Sequence, residues 1–169
     1  METVILGLGA NLGDPARQIA EAVEALRAWV RIERVSSLYR TEPVGFRDQP
    51  DFHNAVAVGT TALAPEELLR AVLSVEEAMG RRRSFRDAPR AVDIDLLDHG
   101  GRVMEAPGLT LPHPRLHERA FVLVPLAEAA PEWRHPVHLR TARELLSTAG
   151  ARERVERVGA LSVSGAGGP

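Results

Sequence analysis

Two stretches of helical hydrophobic period, each lying between stretches that read as strands, are what most limits how this chain can fold. The first helix is expected over about 15–29. Asp14 stands at the capping position, Pro15 at the first helical position, and Ile19, Val23, Leu26 and Val30 follow at helical spacing. The second opens at Pro65, carries Leu68, Leu69, Val72, Val75 and Met79 on its apolar side, and is expected to stop at Gly80. Around them, Val4 to Leu8, Val35 to Tyr39, Phe52 to Thr60 and Ala91 to Leu97 read as strands. Gly7 to Asn11 reads as a loop leaving the first of these. The order strand, helix, strand, strand, helix, strand is the ferredoxin-like βαββαβ pattern, an α+β fold. It predicts an antiparallel sheet with helices packed on one face.

Further along, Val103 to Leu111 has room for a small hairpin and Pro112-His113-Pro114 for a stiff extended segment. A helix is expected from about Glu118 to Ala130 with Pro125 in its first turns. A helical stretch over 139–149 and a last strand over Val155 to Val163 make a C-terminal extension. Residues 1–163 are expected to form one domain, with 164–169 a disordered tail. A chain of 169 residues can bury roughly 70% of its unfolded surface, so no disulfide staple is needed.

All 21 positive charges are arginine. The missing lysine excludes a P-loop, whose ammonium must reach the phosphates, and any lysine Schiff base. The missing cysteine excludes thiolate nucleophiles and cysteine zinc sites. A net charge of −2 gives no bulk attraction to nucleic acid or membrane. No signal-peptide pattern and no long apolar span stand out, so a cytoplasmic protein is the expectation. Oligomeric state is not legible; a monomer is the working expectation.

The sharpest local feature is Arg90-Ala91-Val92-Asp93-Ile94-Asp95-Leu96-Leu97. Alternate side chains of a strand share a face, so Asp93 and Asp95 point one way, about 6.6 Å apart at Cα. Val92, Ile94 and Leu96 point the other way, into the core. Two carboxylates on one face can hold hard cations such as Mg²⁺, which prefers few carboxylates plus phosphate oxygens and water. They can equally be a solvated strand face. Just upstream stand Arg81, Arg82, Arg83, Arg86 and Arg90. Arginine binds phosphate bidentately and stays charged. Arginines for phosphate oxygens beside aspartates for metal ions are what a polyphosphate–Mg²⁺ complex requires. The bland readings are a solvated basic loop or a nucleic-acid patch, and the patch has only Phe85 as an aromatic.

His113 is held extended between prolines and can donate to a phosphate. His113 and His117 are four apart, but the prolines break any common helical face and no third zinc ligand is evident. His99, His135 and His138 are expected at the surface. In Tyr39-Arg40-Thr41-Glu42-Pro43-Val44 and Asp51-Phe52-His53-Asn54, aromatic residues flank polar ones. Phe52 and Phe121 are either core residues or stacking faces for a flat heterocycle; composition alone favours core.

These segments, in order, resemble a known family. Gly7-Leu8-Gly9-Ala10-Asn11-Leu12-Gly13, Tyr39-Arg40-Thr41, Gln49-Pro50-Asp51-Phe52-His53-Asn54, Pro89-Arg90-Ala91-Val92-Asp93-Ile94-Asp95, and Leu111-Pro112-His113 with Arg119 and Phe121 are similar to 6-hydroxymethyl-7,8-dihydropterin pyrophosphokinase of folate biosynthesis. The resemblance runs from about residue 3 to 133. It implies transfer of pyrophosphate from ATP to the pterin's 6-hydroxymethyl group, with release of AMP. It implies two Mg²⁺ ions held by Asp93 and Asp95, with Arg81 and Arg90 also catalytic. The pterin is expected against Phe52, Phe121, Asn54, Thr41, Pro43 and Val44, and ATP against Glu76, Arg81, Arg83, Arg90, His113 and Arg119. Two departures stand out. Asp87-Ala88 replaces the Trp-Gly common before the Pro-Arg pair, and Pro114 replaces a frequent tyrosine. Two readings compete: a Mg²⁺-dependent nuclease or nucleotidyltransferase using the same carboxylates, and a ferredoxin-like RNA-binding module led by residues 81–90. The expected partners are ATP and the hydroxymethyl-dihydropterin, not nucleic acid or membrane.

Overall fold

The computed structural model describes residues 1–11, 13–41, 51–81, 92–149 and 154–163. Eight strands and four α-helices are named here in chain order. They are β1 (Glu2–Ala10), α1 (Pro15–Leu26), β2 (Arg31–Val35), β3 (Leu38–Thr41), β4 (Phe52–Thr61), α2 (Pro65–Arg81), β5 (Asp93–His99), β6 (Met104–Ala106), β7 (Leu109–Leu111), α3 (Ala120–Ala129), α4 (Ala142–Thr148) and β8 (Val155–Gly159). A 3₁₀ turn at Leu116–Glu118 leads into α3.

The sheet runs β5-β1-β4-β3-β8, with β2 beside β3 on the same edge of β4. Every pairing is antiparallel. Taking β2 and β3 as one interrupted strand, the first four strand positions have the ferredoxin-like order 4-1-3-2. The expected fold class is therefore present.

One face is a single aliphatic core. Val4, Leu6, Leu8 and Ala10 of β1, Ala55 and Ala57 of β4, and Ile94 and Leu96 of β5 meet the apolar stripes of α1 and α2. Asp14 caps α1 as expected, accepting the Arg17 N–H at 3.3 Å. The other face is not bare. Ile5, Val56, Val58 and Leu97 pack against Val122, Leu123 and Leu126 of α3, with Ala142 and Leu145 of α4 behind. Helices thus lie on both faces, where the pattern predicted one, because the C-terminal extension folds back over the second face.

Several boundaries differ from expectation. β1 continues through Gly7 and Gly9 to Ala10, since β4 and β5 pair with it on both sides. The segment read as one strand over Val35 to Tyr39 is interrupted at Ser36-Ser37. There the Ser36 hydroxyl accepts the Val56 N–H at 2.9 Å, and the Ser37 N–H turns to the Glu128 carboxylate at 2.9 Å. α1 ends at Leu26, and α2 passes through Gly80 to Arg81. Pro125 lies inside α3, in its second turn, within the first turns as expected. Burial of Val122, Leu123, Leu126 and Ala129 outweighs the lost backbone bond. The last strand ends at Gly159 and pairs with β3. Among the described residues no helix is long and apolar enough to cross a membrane. The tail 164–169 lies outside them.

Candidate active site

The site is built on the α3 face, at the end of the sheet where apolar side chains give out. Register places Asp95 opposite Gly7 and Asp93 opposite Gly9. Gly9 is in turn opposite Asn54, and Asn54 opposite Tyr39. Directly paired residues share a face, so Asp93, Gly9, Asn54 and Tyr39 form one row across four strands. Both aspartates are solvent-exposed, while Ile94 and Leu96 between and beyond them are buried. The alternation read from the sequence is therefore correct.

Gly9 matters because of a close approach. A Cβ there would stand 2.8 Å from Asn54 Oδ1, and one on Gly7 would stand 3.3 Å from Leu97 Cδ1. The two glycines clear the floor in front of the two aspartates and let the Asn54 amide lie across β1. Sequence reasoning read this Gly-x-Gly as loop. The available signal was its period of two, matching that of Asp-x-Asp.

Asp93 and Asp95 stay in place through α2. The Ile94 N–H, between them on the outer edge of β5, donates to Glu76 Oε2 at 2.7 Å. Glu76 is expected to line the nucleotide; here one of its oxygens anchors the strand that carries the two aspartates.

His113 follows β7, its N–H donating to Leu97 O of β5 at 3.0 Å. Its ring Nδ1 accepts the Arg115 N–H at 3.2 Å, which leaves Nε2 as the donor. Burial pushes its pKa below the ordinary value. The Asp95 carboxylate works against that shift, and Arg119 and Arg115 add to it. His113 is thus neutral near pH 7, with Asp95 and Arg119 both within its electrostatic reach. Arg119 is the residue before α3, and its guanidinium carbon lies 5.5 Å from the centre of the Phe121 ring. This cation–π contact ties a cation to an aromatic face at the start of the helix.

Phe52 is 40% exposed at the start of β4, so it is not a core residue. Phe121 is half-buried against the second core. Thr41, paired with Phe52, has a buried hydroxyl without a hydrogen-bond partner among the described residues. An orphaned donor–acceptor beside an exposed aromatic ring is a place where a polar heterocycle fits.

Behind this row sits a network that sequence reasoning missed. Glu128 of α3 accepts from the Tyr39 hydroxyl at 2.7 Å, the Ser37 hydroxyl at 2.8 Å and the Ser37 N–H at 2.9 Å. Arg157 of β8 donates to the Ser37 hydroxyl at 2.9 Å. Although burial opposes ionisation, these hydrogen bonds hold the Glu128 carboxyl below its ordinary range. The network fixes β3, and with it Thr41, against α3 and β8.

Of the expected site residues, Pro43, Val44, Arg83 and Arg90 lie outside the described residues, as do Asp87 and Ala88. Arg81 ends α2, and its side chain is not described. Two histidine expectations are corrected. His99 is fully buried, its Nε2 within 2.9 Å of Leu63 O and its Nδ1 within 2.8 Å of the Arg102 guanidinium. His135 is 3% exposed, its Nδ1 accepting the Val137 and His138 N–H groups.

A βαββαβ sheet with a paired-carboxylate strand, an adjoining histidine and arginine, and an aromatic edge fits the class of phosphoryl-transfer domains. Comparison with known proteins narrows this. Residues 5–131 match the family model described as 7,8-dihydro-6-hydroxymethylpterin-pyrophosphokinase. The chain is 48% identical over 134 residues to the 2-amino-4-hydroxy-6-hydroxymethyldihydropteridine pyrophosphokinase of Methylorubrum extorquens, covering 78% of this chain and 85% of that protein. It is 39% identical over 144 residues to the protein of the same name from Aquifex aeolicus, covering 85% and 90%. Among solved structures, the fold matches wild-type Plasmodium falciparum HPPK-DHPS with a TM-score of 0.71 at 16% identity, over 86% of this chain and 43% of that one. The chain belongs to the 6-hydroxymethyl-7,8-dihydropterin pyrophosphokinase family, the ATP-dependent diphosphokinases of folate biosynthesis. Membership selects this reading over the nuclease and RNA-binding alternatives.

Proposed function

We propose that Asp93 and Asp95 hold two Mg²⁺ ions for pyrophosphoryl transfer from ATP to the 6-hydroxymethyl oxygen of the dihydropterin, with residues 1–163 acting as one cytoplasmic catalytic unit. The observation that carries this is the pair of exposed carboxylates facing a glycine-cleared stretch of β1. The donor set fits: hard carboxylate oxygens, both solvent-exposed on one strand, of the kind that Mg²⁺ takes together with phosphate oxygens and water. When bound, Mg²⁺ neutralises charge on the transferring phosphates and orients them.

The protein's own part is positioning and electrostatics. Glu76 holds the strand so that both carboxylates face the same way. His113, neutral with Nε2–H free to donate, gives a hydrogen bond to a phosphate oxygen without needing to be protonated. Arg119 offsets negative charge beside it, and Arg81, Arg83 and Arg90 are assigned the same role on the nucleotide side. The pterin stacks on Phe52 and Phe121. Asn54 and the Thr41 hydroxyl read its polar edge, with Pro43 and Val44 completing that wall. No side chain among the described residues is placed as an obvious general base.

AMP formation from ATP, measured with and without the hydroxymethyl pterin, tests the proposal. The expected result is AMP only with pterin and Mg²⁺ present. ADP as product, or pterin-independent hydrolysis, would overturn it.

A further inference from the structure

Three of the chain's six histidines, none assigned a part in the pyrophosphoryl chemistry, converge at one place. His117 belongs to the 3₁₀ turn before α3, and His135 and His138 to the connection between α3 and α4. Their ring centres are 4.6 Å apart for His117 and His138, 4.5 Å for His135 and His138, and 6.0 Å for His117 and His135. One nitrogen of each lies within 4.8 Å of the other two. His135 is buried, His117 half-buried and His138 exposed, so one anchor sits behind two adjustable partners. The cluster borders two surface cavities of about 430 and 500 Å³, which give an ion a way in.

Imidazoles brought together like this cannot all be charged. Neutral imidazole nitrogens converging on one point select borderline transition-metal ions such as zinc and reject Mg²⁺, which prefers oxygen.

We propose that His117, His135 and His138 form a zinc-class metal site, completed by water, that staples the turn ahead of α3 to the α3–α4 connection. Zn–N bonds of about 2.0–2.1 Å draw the nitrogens closer than they now stand, and His138 and His117 have the exposure to move. The Nδ1 atom of His135 accepts the Val137 and His138 N–H groups at 3.1 Å each, so it presents Nε2. Coordination there moves the ring proton from Nε2 to Nδ1 and gives up those two bonds, which makes the site one of moderate affinity. Glu118 stands 3.6 Å from His117 Nε2, placed to orient that ring while Nδ1 takes the metal. The staple would restrain the turn leading directly to Arg119 and Phe121.

The test is a Co²⁺ titration of the full chain in excess Mg²⁺, followed by displacement with Zn²⁺. The expected result is one Co²⁺ per chain with the visible bands of a four-coordinate site. Zinc at about 100 times its Kd should raise Tm by about 5–10 °C. His138→Ala, at an exposed position, should weaken Co²⁺ binding by roughly 100-fold while leaving the far-UV spectrum and Mg²⁺-dependent turnover unchanged. Asp95→Asn should leave Co²⁺ binding intact. Absence of four-coordinate bands, their survival in His138→Ala, or their loss in Asp95→Asn would each overturn the site.

Discussion

The two faces of the sheet use the same three adjacent strands, β5, β1 and β4, to opposite ends. On the α1/α2 face, β1 contributes Val4, Leu6, Leu8 and Ala10, and the aliphatic core runs its whole length. On the α3 face the alternate residues are Ile5, Gly7 and Gly9, and apolar packing stops after Ile5. Opposite those glycines stand Asp95 and Asp93. One face stores stability; the other gives up packing area in order to expose carboxylates and an amide. Because the side-chain period is two, a single strand can serve both without compromise. Substitutions on the two faces should therefore separate stability from activity.

The largest effect is expected on the open face. Asp95→Asn keeps the shape and removes a charge proposed to hold metal, so AMP formation at moderate Mg²⁺ should fall by about 1,000-fold or more. Pterin affinity and Tm should change little, since the group is exposed. Full turnover would remove Asp95 from the metal site. On the closed face, Leu6→Ala should do the reverse. Leu6 is 0% exposed, and truncating it costs about 2–5 kcal/mol of unfolding free energy. Denaturant titration measures that loss, and kcat per folded molecule at low temperature should stay near wild type. Comparable losses of activity in both variants would collapse the division between the faces.

Gly9→Ala probes the boundary between them. The new methyl would meet Asn54 Oδ1, the end of a side chain that can swing away. Stability should change by less than about 1 kcal/mol, because the displaced group is the end of a flexible side chain. The pterin KM should rise about tenfold through one lost hydrogen bond, with kcat nearly constant. An unchanged KM would separate Asn54 from the pterin.

The closed face was largely legible beforehand. Its helices announce themselves by period, cap and N-terminal proline, and the Asp-x-Asp alternation needs only local geometry. What escaped depends on distant partners. The covering of the second face by α3 depends on residues 120–129, which a βαββαβ reading does not include. The interruption at Ser36-Ser37 is set by Glu128, 91 residues away in the chain. Gly7 and Gly9 look like loop signals until β4 and β5 are placed on either side. His99 and His135 look like surface residues until Leu63 O and the Val137 and His138 amides are seen to satisfy them. The stacking roles proposed for Phe52 and Phe121 come from family resemblance; composition alone favoured the core.

The smallest expected effect tests the joint that holds the open face to α3. Tyr39 is the chain's one tyrosine, so ultraviolet titration reports it alone. Burial first, and then the hydrogen bond to the Glu128 carboxylate and that group's charge, push the phenol up to about 12. A raised folded pKa means that the protonated form is favoured in the folded protein. The resulting stability is present below the ordinary value of 10 and is lost as pH rises from there through about 12. Glu128→Gln keeps an acceptor but removes the charge, so the tyrosine midpoint should move back toward 10 and the alkaline loss of stability should shrink. Because Asn54 lies opposite Tyr39 in the same row, the variant should also raise the pterin KM modestly. A wild-type midpoint near 10 would mean that Tyr39 is not held by Glu128. The polar end of this face would then lack the anchor that lets it dispense with an apolar core.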